Sequence, residues 1–148
     1  MDKVSYKLVT SDEELKAVFE VRKQVFVGEQ GISEELELDG HDSEALHIVV
    51  QNEERTIGTT RVLFPAPGQA KIERMAVLKP YRHRGIGSGI ISFLYEELKS
   101  RQVEQMVLHA QYPAVAFYKS CGFEESGPPF WEAGIKHIKM ERQLRGSS

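Results

Sequence analysis

The densest group of chemically able residues in the chain is Arg82-His83-Arg84-Gly85-Ile86-Gly87. Glycines at this spacing let a backbone turn tightly and approach a ligand. The free N–H groups of a helix opening there form an anion site that the helix dipole reinforces. Arg82, His83 and Arg84 add positive charge at the same place, and arginine's forked donors suit phosphate oxygens. A diphosphate fits such a turn, although the glycines alone are also compatible with a plain helix start. The two common nucleotide motifs fail. The residue three after Gly87 is Ile90 instead of a third glycine, no acidic ribose partner ends a following strand in the right place, and neither Gly-Lys-Ser nor Gly-Lys-Thr occurs.

The turn needs a strand before it and a helix after it, and the sequence predicts both. Lys71 to Leu78 reads as a strand, and Ile86, Ile90, Leu94 and Leu98 form a helical stripe that ends at Lys99 to Arg101. Upstream, Val4 to Val9 reads as a first strand. Ser11 and Glu14 form a capping box that opens a helix with apolar positions Leu15, Val18, Phe19, Val25 and Phe26, ended by Gly28 and Gly31. The acidic stretch Glu29 to Asp42 reads as a loop with one helical turn, either a solvated face or a wall turned toward a substrate. Leu46 to Gln51 and Thr56 to Phe64 are strands joined by a short polar connection, and with Lys71 to Leu78 they predict an antiparallel meander. Met106 to Ala110 is a buried strand, Pro113 starts a short helix that Gly122 stops, and Ile135 to Leu144 alternates as a final strand. Gly146, Ser147 and Ser148 read as a loose tail.

The totals set bounds on the whole. At 148 residues with 41% apolar content, one domain spanning residues 1–148 is expected. A net charge of −3 and a sequence pI near 6.0 argue against nucleic acid as a default partner. No apolar run approaches the roughly 20 residues that span a bilayer. One cysteine, Cys121, and the lack of a leading apolar run predict a reducing, cytoplasmic setting. Cys121, beside Gly122 in a short helix, reads as a core residue. His41 and His47 lie near Asp39 and Asp42, but without the tight spacing of a metal site, so no metal is expected.

The segment Ile72-Glu73-Arg74-Met75-Ala76-Val77, the turn at Arg82 to Gly87, and Ala114-Val115-Ala116-Phe117-Tyr118-Lys119-Ser120-Cys121-Gly122-Phe123 resemble the GNAT superfamily of acyl-CoA-dependent N-acyltransferases. Val25 to Gln30, Asp39 to Asp42 and Glu132 to His137 are similar to a small bacterial subgroup whose acceptors are mostly unassigned. The resemblance implies an α/β (α+β) fold: a mixed, mainly antiparallel central sheet flanked by helices, with the pyrophosphate turn after the fourth strand. It implies acetyl-CoA as co-substrate, bound by backbone at a β-bulge in Met75, Ala76 and Val77 and by Arg82, His83, Arg84, Gly85, Ile86, Gly87 and Ser88. A homodimer is compatible with this type of domain, though no residue forces it.

Moving an acyl group from a thioester to an amine requires a neutral amine, a stabilised oxyanion and a proton for the leaving thiolate. Tyr118 matches the family's general acid, against a competing role in packing. His137, on the polar face of the last strand, is the first choice for the base, and Glu73, one pleat from Met75, is the second. The competing readings are a structural His, and a Glu paired with Arg61 or Arg74. Arg22, Glu29, Gln30, Asp39, Gln111 and Glu132 are candidates for the acceptor pocket. Their carboxylates suggest a cationic amine such as a polyamine, an amino sugar or a protein amino group, with a small molecule favoured. A non-catalytic acyl-CoA sensor is the alternative.

Overall fold

The computed structural model describes residues 3–144, so the expected tail lies outside the described residues. Eight strands form one sheet: β1 (Val4–Leu8), β2 (Leu46–Asn52), β3 (Arg55–Ala66), β4 (Gln69–Val77), β5 (Gln105–Gln111), β6 (Glu124–Glu125), β7 (Phe130–Glu132) and β8 (Ile135–Gln143). Their order is β1-β2-β3-β4-β5-β8-β6, with β7 also on β8. Every pairing is antiparallel except β4 with β5. The expected meander is β2, β3 and β4, and the expected mixed, mainly antiparallel sheet is present. Sequence reading missed β6 and β7, which are too short to show an alternation.

Helices cover both faces. The α3 helix (Ile86–Ser100) lays Ile86, Ile90, Leu94 and Leu98 against Ile48, Val50, Ile72, Leu108 and Met140, all buried. Each such side chain contributes about 1.5–3 kcal/mol when removed from water. This face also carries α4 (Val115–Ser120) through Val115, Tyr118 and Cys121.

The opposite face is covered by α1 (Asp12–Arg22). The Ser11 hydroxyl accepts from the Glu14 N–H at 3.1 Å, as a capping box requires. The return half differs, because the Glu14 carboxylate accepts from the Thr10 N–H at 2.8 Å and also pairs with Lys7. The α-helix then gives way to a π-helical segment at Lys23–Glu29. Its wider turn keeps Val25 and Phe26 with Val21 on the sheet side, packed against Ala76 and Leu78. The acidic stretch contains one helical turn, α2 (Glu34–Glu37).

Two departures from regular pairing shape the functional end. Along β3 and β4, Thr59 faces Ala76 and Arg61 faces Glu73, so two steps on β3 match three on β4. The extra residue makes a bulge with Arg74 at φ +56°, and the Thr60 hydroxyl donates to the Glu73 carbonyl at 2.9 Å. The bulge lies one residue earlier than the Met75 to Val77 expected. The ladder of β4 with β5 also stops at Ile72 and Leu108, after which the two parallel strands run on without pairing and leave a wedge between them.

Candidate functional site

A cleft of about 410 Å³ occupies this wedge, floored by Ile72, Met75 and Leu108. The π-helical segment and α2 wall one side, and β7 with the start of β8 walls the other.

The basic turn follows β4 directly. His83 (φ +63°) and Gly85 (φ +81°) turn the backbone in the left-handed region, and Gly85 is the N-cap of α3 without a side-chain cap. The first-turn N–H groups of Ile86, Gly87 and Ser88 thus face outward from an uncapped helix, an arrangement suited to an anion. The side chain of Ile86 is buried in the core, so only its backbone is available. Gly87 has a further reason to lack a side chain: a Cβ there would lie 2.9 Å from the Phe117 ring.

Arg82 is held at this turn. Its Nε donates to the Val77 carbonyl at 2.8 Å and its Nη2 to Glu29 at 2.7 Å. Glu29, expected at the acceptor pocket, belongs instead to the basic turn, because the π-helical segment ends above Arg82.

Tyr118 and His137 both line the wedge. The Tyr118 hydroxyl donates to the Met75 thioether at 3.7 Å, and burial pushes its pKa up to about 12. His137 is 7% exposed and its Nδ1 lies 2.7 Å from the Ile135 carbonyl. A carbonyl only accepts, so Nδ1 carries a proton, and in the neutral imidazole the lone pair lies on Nε2. Glu132 bridges toward two histidines, with one oxygen 3.2 Å from Nδ1 of His109 and the other 3.9 Å from Nε2 of His137. The hydrogen bond from His109 holds the Glu132 carboxyl below the usual range. Gln111 donates to Gln30 at 2.9 Å, and both line the cleft.

Glu73 also lines the cleft, but its oxygens are occupied. Arg61 donates to Oε1 at 2.7 Å and Lys71 to Oε2 at 2.9 Å. Burial would push the carboxyl up, and the bonds from Lys71 and Arg61 outweigh it and hold it below the ordinary range.

Arg22 requires correction. It is fully buried, donating to Glu37 at 2.9 Å and to Asp42 at 2.7 Å, and it does not reach the cleft. It is one member of a closed ring in which charge alternates: Arg22, Glu37, Arg74, Asp39, Arg61, Asp42 and back to Arg22. Arg61 is 1% exposed and binds Asp39, Asp42 and Glu73 together. In the acidic stretch Glu37, Asp39 and Asp42 are thus paired with guanidinium groups, whereas Glu34 and Glu35 are exposed. Asp39 does line the cleft, with both oxygens held by Arg61. Arg61 carried a signal in the sequence: an arginine inside Thr59-Thr60-Arg61-Val62-Leu63, a central-strand run, needs carboxylate partners, and the nearby acidic loop supplies them. His41 and His47 are engaged locally, with Glu44 at 2.8 Å and the Asp42 carbonyl at 2.9 Å respectively.

The strand order and the mainly antiparallel sheet flanked by helices match the fold of acyl-CoA N-acyltransferases. The Acetyltransferase (GNAT) domain profile matches residues 8–144, and the chain belongs to this family. It is 35% identical over 144 residues to the Uncharacterized protein YyaT of Bacillus subtilis (strain 168), covering 95% of this chain and 97% of that one. It is 37% identical over 134 residues to the Uncharacterized N-acetyltransferase YjcF of the same organism, covering 90% and 95%. Among solved structures it is similar to an acyl-CoA N-acyltransferase from Pseudomonas aeruginosa, with a TM-score of 0.82, 25% identity and coverage of 96% and 99%.

Proposed function

We propose that the protein is an acetyl-CoA-dependent N-acetyltransferase that acetylates a primary amine, more readily a small molecule than a protein, by direct attack in a ternary complex. The observation that carries this reading is that an imidazole whose Nδ1 is bonded to a carbonyl, His137, and a protonated buried phenol, Tyr118, line one wedge beside the bulge. The bound thioester would supply the activated acyl group. The uncapped start of α3, with His83 and Arg84 exposed beside it, fits the diphosphate of such a co-substrate.

His137 takes the proton from the attacking amine. The backbone N–H groups of β4 past the bulge, at Met75 to Val77, meet the carbonyl oxygen as negative charge develops on it. Tyr118 donates its proton toward the leaving sulfur. Glu73, with both oxygens occupied, positions Arg61 and Lys71 and does not act as the base.

Free-thiol release from acetyl-CoA, followed across an amine library, tests this. Turnover that depends on both His137 and Tyr118 supports it. Tight acetyl-CoA binding with no thiol release for any amine would overturn it and leave the non-catalytic sensor.

A further inference from the structure

Resting on that reading, we propose that the acceptor is a primary monoamine with an apolar body, bound as its ammonium by Glu132, with His109 as the residue that positions this carboxylate. Four carboxylates line or back the loop side of the cleft: Glu37, Asp39, Asp42 and Glu73. Each already has an Arg or Lys donor, from Arg22, Arg61, Arg74 or Lys71. Four anions face four cations, so this side presents no net charge to a ligand.

Glu132 differs. Its hydrogen-bond donor is the imidazole of His109, and the side chain remains 51% exposed at the cleft. An ammonium placed on it lies beside the Nε2 lone pair of His137, since Glu132 and that nitrogen are 3.9 Å apart. Capture and deprotonation thus occur at neighbouring atoms. After the transfer, the imidazolium faces the same carboxylate.

A single carboxylate with no Arg or Lys ion-pair partner serves one ammonium. A polyamine or amino sugar would bring further cations to a wall whose anions are already paired, and an anionic amino acid would set its carboxylate against Glu132. Where an acceptor body would lie, Phe26, Ile32 and Leu36 on the loop side and Ile135 opposite add apolar surface beside the amides of Gln30 and Gln111. Leu36 is 57% exposed, an apolar surface at the cleft that a hydrophobic acceptor body would cover. The cleft of about 410 Å³ also has to admit the acyl arm, which limits the acceptor to a small body.

The test compares 2-phenylethylamine, spermidine and glutamate as acceptors for the full chain with acetyl-CoA. The expected result is a kcat/KM for 2-phenylethylamine at least about tenfold above the other two. Glu132→Gln should raise its KM by about tenfold or more, the size of a lost charge-assisted bond, with a smaller change in kcat. His109→Gln should give a smaller rise in KM, which a purely structural role for His109 would not produce selectively. A preference for spermidine or glutamate, or an unchanged KM in Glu132→Gln, overturns the proposal while leaving the acetyltransferase reading intact. If no amine is acetylated, the activity reading falls, and calorimetry of 2-phenylethylamine on the CoA-loaded protein decides the acceptor site by itself. Binding that Glu132→Gln abolishes upholds the site, and absence of binding overturns it.

Discussion

The Tyr118 hydroxyl spans the gap where β4 and β5 part and reaches the Met75 sulfur at 3.7 Å. A thioether is a weak acceptor, so the phenol gives up little when it turns to a better one. With its pKa pushed up to about 12 by burial, it is protonated at any physiological pH and serves as a donor. Tyr118→Phe should fold and bind acetyl-CoA as the parent does, while kcat falls about a hundredfold or more. Calorimetric cofactor binding beside steady-state rates checks this, and an unchanged kcat removes the acid assignment.

His137 and Glu73 should separate by the type of loss they cause. His137→Gln keeps a donor for the Ile135 carbonyl but loses the free Nε2, so kcat/KM should drop about 10²–10⁴-fold with the fold preserved. Glu73→Gln should instead cost about 1–3 kcal/mol of stability, because Arg61 and Lys71 lose an anion. Denaturant melts and single-turnover rates on both variants decide it.

The ring makes Arg61 a costly charged residue to remove. Arg61→Met leaves Asp39, Asp42 and Glu73 short of a cation in a buried setting, and breaking such a pair costs about 3–5 kcal/mol. Urea unfolding measures the loss, and a change within about 1 kcal/mol would contradict the ring's structural role.

The same ring predicts acid lability. Arg61 holds the Asp39 carboxyl well below the usual range. Burial pushes Asp42 upward, but Arg22 and Arg61 outweigh it and lower it, and Glu73 is lowered as well. A depressed carboxylate stabilises the fold above its ordinary pKa, and that stability is lost as pH falls through the ordinary range near 4 toward the folded value. Melting temperature should therefore be flat from pH 7 to about 5 and fall steeply below about 4, with a shallower fall in Arg61→Met.

Gly89 tests the contact of α3 with β1. A Cβ there would run into the Tyr6 hydroxyl and the ring carbon that bears it. Gly89→Ala should cost about 1–3 kcal/mol by overpacking. In a double-mutant cycle with Tyr6→Ala most of that cost should vanish, and additive losses would place the strain elsewhere.

Long periodic segments were legible from sequence because burial dictates their pattern. Ile86, Ile90, Leu94 and Leu98 announced α3, and alternation announced β8. The basic turn was legible because Gly85 and its neighbours combine charge with turn chemistry. The fate of the acidic stretch was not. Whether Glu37, Asp39 and Asp42 face solvent or guanidinium groups depends on β3 and β4 placing Arg61 and Arg74 beneath them, a tertiary fact whose trace in the sequence is Arg61 inside a central-strand run and not anything in the acidic stretch itself. The change from α to π at Lys23 was hidden for the same reason, since Val25 and Phe26 choose the wider turn only against Ala76 and Leu78.

Arg74 belongs to two structures at once. Its backbone, at φ +56°, forms the bulge beside the reacting centre, and its side chain clasps Glu37 and Asp39 of the loop opposite. The loop that walls the acceptor side is thereby bolted to the peptide units that would meet the acyl oxygen. An acceptor too wide for that wall cannot push it back without twisting the bulge. On the proposed mechanism, steric misfit would carry over into lost reactivity, so size selection would be read in turnover as well as in binding.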